Sequence, residues 1–112
     1  KILTKNNSNK TILILGFSFK ENCNDTRNTK VFDIYKLLKK KYKKIDIYDP
    51  LVDIDEVKNT HNVKILSKIK NNFYDLVLIT VKHDIFKKFN RNKINKLLKG
   101  DKIIYDYINL LG

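Results

Sequence analysis

The chain has 112 residues, 42% of them hydrophobic, which is enough for one domain with one core and too little for two. Its 24 Lys and Arg against 12 Asp and Glu give a formal charge of +12, which attracts polyanions without choosing between nucleic acid and nucleotide phosphates. No apolar run approaches the roughly 18 residues of a membrane span, the N-terminus lacks a signal-peptide stretch, and the single cysteine, Cys23, excludes an internal disulfide. A soluble, cytoplasmic protein is the expectation. Among the basic residues only Arg27 and Arg91 are arginines, whereas surfaces that read bases favour the arginine fork; the wealth of Lys, Asn, Ile, Tyr and Phe is what A/T-rich codons produce.

In chain order, residues 1–10 include Asn6-Asn7-Ser8-Asn9 and too few apolar groups to offset the entropy of ordering, so they read as a linker or frayed end before one domain over 11–112. Residues 11–16, Thr-Ile-Leu-Ile-Leu-Gly, form an unbroken apolar run stopped by glycine, the mark of a strand buried on both faces. A long polar passage fills positions 16–30. Val31, Ile34, Tyr35, Leu38 and Tyr42 then recur at helical spacing, with Lys30, Asp33, Lys36, Lys39 and Lys40 on the other face. Further strand signals lie at 45–48, 63–66, 76–81 and 103–105, with short helices expected at about 53–59 and 67–73. Ile85, Phe86, Phe89, Ile94, Leu97 and Leu98 suggest another helix before Gly100, interrupted near Asn90-Arg91-Asn92, where helix propensity is poor.

Strands alternating with helices imply right-handed crossovers, hence an α/β fold: a Rossmann-like three-layer sandwich with a mainly parallel sheet of five strands in the order 3-2-1-4-5. In such a sheet the ligand crevice lies beyond the carboxyl ends of the strands where the order reverses, here at the loops after strands one and four.

Within the first of these loops, Lys20 offers an ammonium to a diphosphate or carboxylate and Phe19 a face to a sugar or base, although solvated surface charge is the usual fate of a lysine. Asp25 and Arg27 stand close enough for one to orient the other, while Thr26, Asn28 or Asp25 is placed to cap the following helix; a purely structural pair is equally compatible with the spacing. Cys23 has no histidine near it in sequence to activate it, so an inert thiol is expected. His83, after strand four, is placed to hydrogen-bond a ligand or act as an acid or base, whereas His61 reads as a loop histidine; two distant histidines without cysteine partners make a metal site improbable. Asp49 occupies the place where a dinucleotide fold uses an acid on a ribose hydroxyl, but Asp49-Pro50 is more simply a turn ending the strand. With glycine only at positions 16, 100 and 112, neither G-x-G-x-x-G nor G-x-x-x-x-G-K-[ST] can be written.

Positions 14–31, with Gly16-Phe17-Ser18-Phe19-Lys20 leading to Asp25-Thr26-Arg27 in an F-K-x-x-x-x-D-x-R pattern, resemble the opening of the C-terminal domain of UDP-glucose/GDP-mannose dehydrogenases. Ile47-Tyr48-Asp49-Pro50, Thr80 to Phe86 and a last strand running into Asp106 extend the resemblance over about 11–107. The variant of the loop, Glu21-Asn22-Cys23 onward, is similar to the branch that oxidises UDP-N-acetylhexosamines for capsule or Vi-type antigens. The resemblance implies a UDP-sugar-binding domain of an NAD-dependent 6-dehydrogenase, with Phe19 and Lys20 on the UDP-sugar and Arg27 approaching NAD; Asp25 and His83, from their own positions, are candidates to support the site. It further implies that the dinucleotide-binding domain and the catalytic residues lie on preceding segments, that this piece alone is inactive, and that the whole enzyme is a homodimer or higher oligomer. The chain departs from its nearest relatives at Asn24, where they carry proline, and at Tyr107-Ile108-Asn109, where many place a basic residue.

Two other classes share some of these features. A basic α/β module for nucleic acid, or a noncatalytic nucleotide-binding module, would use the +12 charge, but no helix-turn-helix or aromatic RNA-binding strand is evident. A receiver-type signalling domain needs acids at the ends of strands one and three, where this sequence has Gly16-Phe17 and Ser67.

Overall fold

A computed structural model describes residues 9–20, 22–27, 29–81, 83–89 and 91–106. Residues 1–8 of the linker expected over 1–10 and the departure at Tyr107-Ile108-Asn109 therefore lie outside the described residues, as do Glu21, Asn28, Lys82 and Asn90.

Elements follow as β1 (Thr11–Leu15), α1 (Val31–Lys39), β2 (Lys44–Tyr48), α2 (Ile54–His61), β3 (Ile65–Leu66), β4 (Tyr74–Ile79), a 3-10 turn (Asp84–Lys88), α3 (Arg91–Leu97) and β5 (Leu98–Asp106). The five strands among the described residues are all parallel, in the order β3-β2-β1-β4-β5 read from the sequence. The central strand explains why its residues carry no polar alternation. Every residue of β1 is buried, with Ile12 and Ile14 entering one core beside α1 and α2, and Leu13 and Leu15 entering a second core beside the 3-10 turn and α3.

On the first face α1 lays Val31, Ile34, Tyr35 and Leu38 against the sheet. The helix ends at Lys39, yet Tyr42 is still drawn into the same core, 1% exposed, as the chain turns toward β2. Burial pushes the Tyr42 phenol up, and its hydroxyl has no hydrogen-bond partner among the described residues. On the second face Phe86, Phe89, Ile94 and Leu97 supply the cover. There Tyr74 donates from its hydroxyl to Asp46 Oδ2 at 3.0 Å, and burial followed by that bond raises its pKa.

Four expectations are corrected. Residues 67–73 form no helix: Asn72 adopts φ 52°, and the amides of Asn72 and Phe73 donate to the carbonyls of Lys96 and Leu97, so α3 rather than a local turn satisfies this backbone. The helical signal before Gly100 divides where the poor propensity near Asn90-Arg91-Asn92 suggested, but it does not run on to Leu98, which already pairs with Tyr74 in the sheet. Gly100 consequently does not stop a helix; with φ 62° it lies in an irregular stretch where two steps of β4, Tyr74 to Leu76, face five of β5, Leu98 to Ile103. His61 is not in a loop but is the last residue of α2, its ring 4.6 Å from Phe32 and 5.6 Å from Phe17.

At the carboxyl end of β1, Gly16 has φ 108°, and a Cβ there would stand 2.6 Å from that of Val81. Only glycine fits, because β4 runs past it so closely that Thr80 N donates to the Leu15 carbonyl at 3.1 Å. This crossing sets the floor of the crevice.

Candidate functional site

The loop leaving Gly16 is held by one carboxylate. Asp49, following β2 and 2% exposed, accepts at Oδ2 from the amides of Phe17 (2.8 Å) and Ser18 (3.2 Å) and from His83 Nε2 (2.9 Å). Its other oxygen accepts from Leu51 N at 3.0 Å, so Asp49 does make the expected Asp-Pro turn. It also ties together the ends of β1, β2 and β4. Neither Asp49 nor His83 was linked to the other by sequence, since they are 34 residues apart.

His83 is fully buried and both ring nitrogens have protein partners: Nε2 with Asp49 and with Ser18 Oγ at 3.2 Å, Nδ1 with the amide of Asn22 at 2.8 Å. The expected direct contact of this ring with a ligand is not what the geometry provides. The ring instead braces the loop, and Asn22, in the left-handed region at φ 55°, closes the brace by accepting at Oδ1 from Asp84 N at 2.8 Å. Lys87, then Asn22, draws the Asp84 carboxyl below its ordinary range. Within the loop Ser18 Oγ donates to the Lys20 carbonyl at 2.8 Å, and Phe19 N donates to the Asp25 carbonyl.

These bonds turn the backbone inward and leave two side chains outside. Phe19 is 51% exposed, unusual for a phenylalanine, and Lys20 is exposed beside it. Lys20 lines an open hollow of about 530 Å³ with Asn22, Cys23, Asn24 and Leu51.

Arg27 belongs to an adjoining hollow of about 380 Å³, lined by Asn24, Asp25, Glu56 and Thr60. Its guanidinium grips Asp25 through Nε and an Nη nitrogen, each at 3.1 Å, and Asp25 Oδ1 also accepts from Arg27 N at 2.9 Å. The Arg27 side-chain bond, then the amide, holds the Asp25 carboxyl down at about 2, and Asp25 in turn raises Arg27. Lys20 and Arg27 thus line neighbouring hollows that meet at Asn24 rather than one hollow.

Lys30 stands at the N-cap of α1 and no side chain caps the helix there; the residue before it, Thr29, accepts at Oγ1 from Val31 N at 3.1 Å, and of the three candidates Asn28 lies outside the described residues. Thr26 caps nothing; its buried hydroxyl has no partner among the described residues, while its carbonyl meets His61 Nε2 at 2.8 Å. The thiol of Cys23 accepts from Asp25 N at 3.3 Å. Asp49 is the residue whose importance sequence reasoning understated. Its position at the end of β2 was the available signal.

Comparisons with known proteins bear on this loop. The profile of the "UDP-glucose/GDP-mannose dehydrogenase family, UDP binding domain" matches residues 13–112. Among curated relatives, the UDP-N-acetyl-D-glucosamine 6-dehydrogenase of Salmonella typhi is 41% identical over 96 residues, covering 86% of this chain and 23% of the relative. That of Pseudomonas aeruginosa is 34% identical over 100 residues, covering 89% and 24%. Among solved structures, a UDP-D-ManNAc dehydrogenase from Pyrococcus horikoshii superposes with TM-score 0.71 at 25% identity, over 94% of this chain and 23% of that one. The UDP-N-acetyl-mannosamine dehydrogenase Cap5O from Staphylococcus aureus gives 0.66 at 27% identity, over 96% and 24%. The chain spans about a quarter of the length of these relatives.

Proposed function

Because the chain belongs to the UDP-glucose/GDP-mannose dehydrogenase family, we propose that it is the nucleotide-sugar-binding domain of an NAD-dependent UDP-N-acetylhexosamine 6-dehydrogenase. Such an enzyme oxidises the sugar C6 alcohol to a carboxylate, yielding a UDP-uronic acid for surface polysaccharide, in the cytoplasm and as a homodimer or higher oligomer. No helix among the described residues is long and apolar enough to cross a membrane. In this reading Phe19 packs on the UDP-sugar and Lys20 pairs with its anionic group.

The observation that carries the reading is the bracing of the loop after β1 by Asp49 and His83, which leaves Phe19 and Lys20 outward at the carboxyl end of the sheet. Two hollows on either side of Asn24 suit a ligand approached from two directions, with Lys20 on the sugar nucleotide and Arg27, pre-oriented by Asp25, toward the cofactor.

The described residues do not fit a dinucleotide cradle of their own. The Phe17 and Ser18 amides, which in such a cradle would face a pyrophosphate, are spent on Asp49; α1 begins only at Val31, whose amide is spent on Thr29. Asp49 is turned inward, away from any ribose. NAD in this proposal is held mainly by another domain.

Titration of the chain with UDP-N-acetylglucosamine, UDP and ADP, followed by amide chemical shifts, tests this. Expected are shifts at Phe19 and Lys20, a preference for uridine nucleotides, and an affinity about tenfold lower in Lys20→Ala, the loss of one charge-assisted hydrogen bond. The control Lys39→Ala should stay within about twofold. Equal affinity for ADP and UDP would overturn the reading.

A further inference from the structure

The brace singles out one atom, His83 Nδ1. The Asn22 amide points its hydrogen at that nitrogen across 2.8 Å, so Nδ1 carries no proton and the ring's proton sits on Nε2, against Asp49 Oδ2 and Ser18 Oγ. We propose that His83 is a positioning residue for the nucleotide sugar, holding the loop in its ligand-presenting shape only while Nδ1 is unprotonated. The proposal rests on the reading of this loop as the nucleotide-sugar site.

The same ring reaches both ends of one short turn. It touches Ser18, whose hydroxyl donates to the Lys20 carbonyl, and it accepts from Asn22 N; Phe19 and Lys20 lie between these two anchors. A proton on Nδ1 would set two N–H donors head to head. Asn22 has no spare way to hold its place, because its Oδ1 is already taken by Asp84 N and its backbone is in the left-handed region. The groups facing the ring are Asp49 from the turn after β2, Ser18 and Asn22 from the loop after β1, and Asp84, paired with Lys87, and Phe86 from the 3-10 turn. Asp49 accepts the Nε2 proton whether the ring is neutral or charged. The contact that differs between the two states is the one to Asn22.

Two substitutions divide the ring. His83→Asn places a carbonyl oxygen near the position of Nδ1 and cannot titrate, whereas His83→Gln keeps an amide donor near Nε2 and leaves Asn22 without its acceptor. The probe is UDP-N-acetylglucosamine, whose diphosphate diester keeps its charge in mildly acidic solution. Expected for the unsubstituted chain is an affinity that falls on acidification with uptake of one proton. His83→Asn should bind with no such pH dependence, and His83→Gln about tenfold more weakly at neutral and acidic pH alike. A pH profile unchanged in His83→Asn would assign the proton elsewhere, to His61 for instance, and overturn the proposal; so would full affinity in His83→Gln. The ring nitrogen shifts of the unsubstituted chain require neither variant nor ligand. They should show the Nε2–H tautomer, and a proton on Nδ1 at neutral pH would refute the brace itself. If that tautomer is found but UDP-N-acetylglucosamine does not bind, the brace stands and the nucleotide-sugar reading falls, taking with it the role for His83 in positioning that ligand.

Discussion

Asp25 and Arg27 are two residues apart, close enough for their pairing to be legible in the sequence, and the structure adds its consequence for titration. The Asp25 carboxyl is lowered from 3.8 to about 2 by Arg27, so the ordering this pair contributes is fully present above the ordinary carboxylate range and is lost as pH falls through about 2. The carboxyl carbon shift of Asp25 should titrate with a midpoint near 2 and move back toward 3.8 in Arg27→Ala; a midpoint near 3.8 in the unsubstituted chain would mean that the exposed pair does not persist in water. Asp49 and His83 are the opposite case. Each was noticeable alone, as an acid and a histidine at strand ends, but a hydrogen bond between residues 34 positions apart has no periodicity to betray it. The reason Asp49 is buried, namely that it satisfies amides at the end of a different strand, is invisible until the strands are adjacent.

Helices announce themselves unevenly. The stripe on α1 was legible because four apolar residues meet the sheet at helical spacing. α2 buries only Val57 and is delimited by chemistry instead: Asp53 Oδ1 accepts from Glu56 N at 3.0 Å, Asp55 and Glu56 occupy the first turn, and Asn62 ends the helix at φ 56°. With so little burial, the cap matters. Asp53→Ala should cost about 1 kcal/mol, lowering Tm by about 4–8 °C, and an unchanged melting curve would show that the cap is not held. The expected helix at 67–73 failed because its two apolar residues, Ile69 and Phe73, pack on the second core from irregular backbone, while α3 supplied the hydrogen-bond partners. The break near Asn90 was read correctly from poor propensity, but β5 begins at Leu98, earlier than the 103–105 signal, because pairing with Tyr74 overrides the weak local preference of Lys99 and Gly100.

Taken whole, the described chain has a radius of gyration of 13.1 Å, near the roughly 13 Å expected of one compact domain of this length. Its +12 charge makes salt a sharp discriminator between anionic ligands. Affinity for UDP-N-acetylglucosamine should fall only a few-fold between 50 and 200 mM salt, since in the proposed site one diphosphate is met mainly by Lys20, whereas a duplex engaging about six phosphates would lose about 1,000-fold. A steep slope for DNA with no uridine preference would favour the nucleic-acid reading. Sequence by itself determined the sheet and its order, because unbroken apolar strands alternating with amphipathic segments have few ways to bury themselves and crossovers have one hand; that the one expected core divides into two clusters, one on each face of the sheet, came from the structure. Sequence also marked the loop at 16–30, since a polar passage that long between strand and helix is seldom idle. Only the tertiary structure decided how that loop is shaped: a carboxylate from one strand end and an imidazole from another pull its amides inward and leave Phe19 and Lys20 outside, a balance of hydrogen bonds that exists only once β1, β2 and β4 lie side by side.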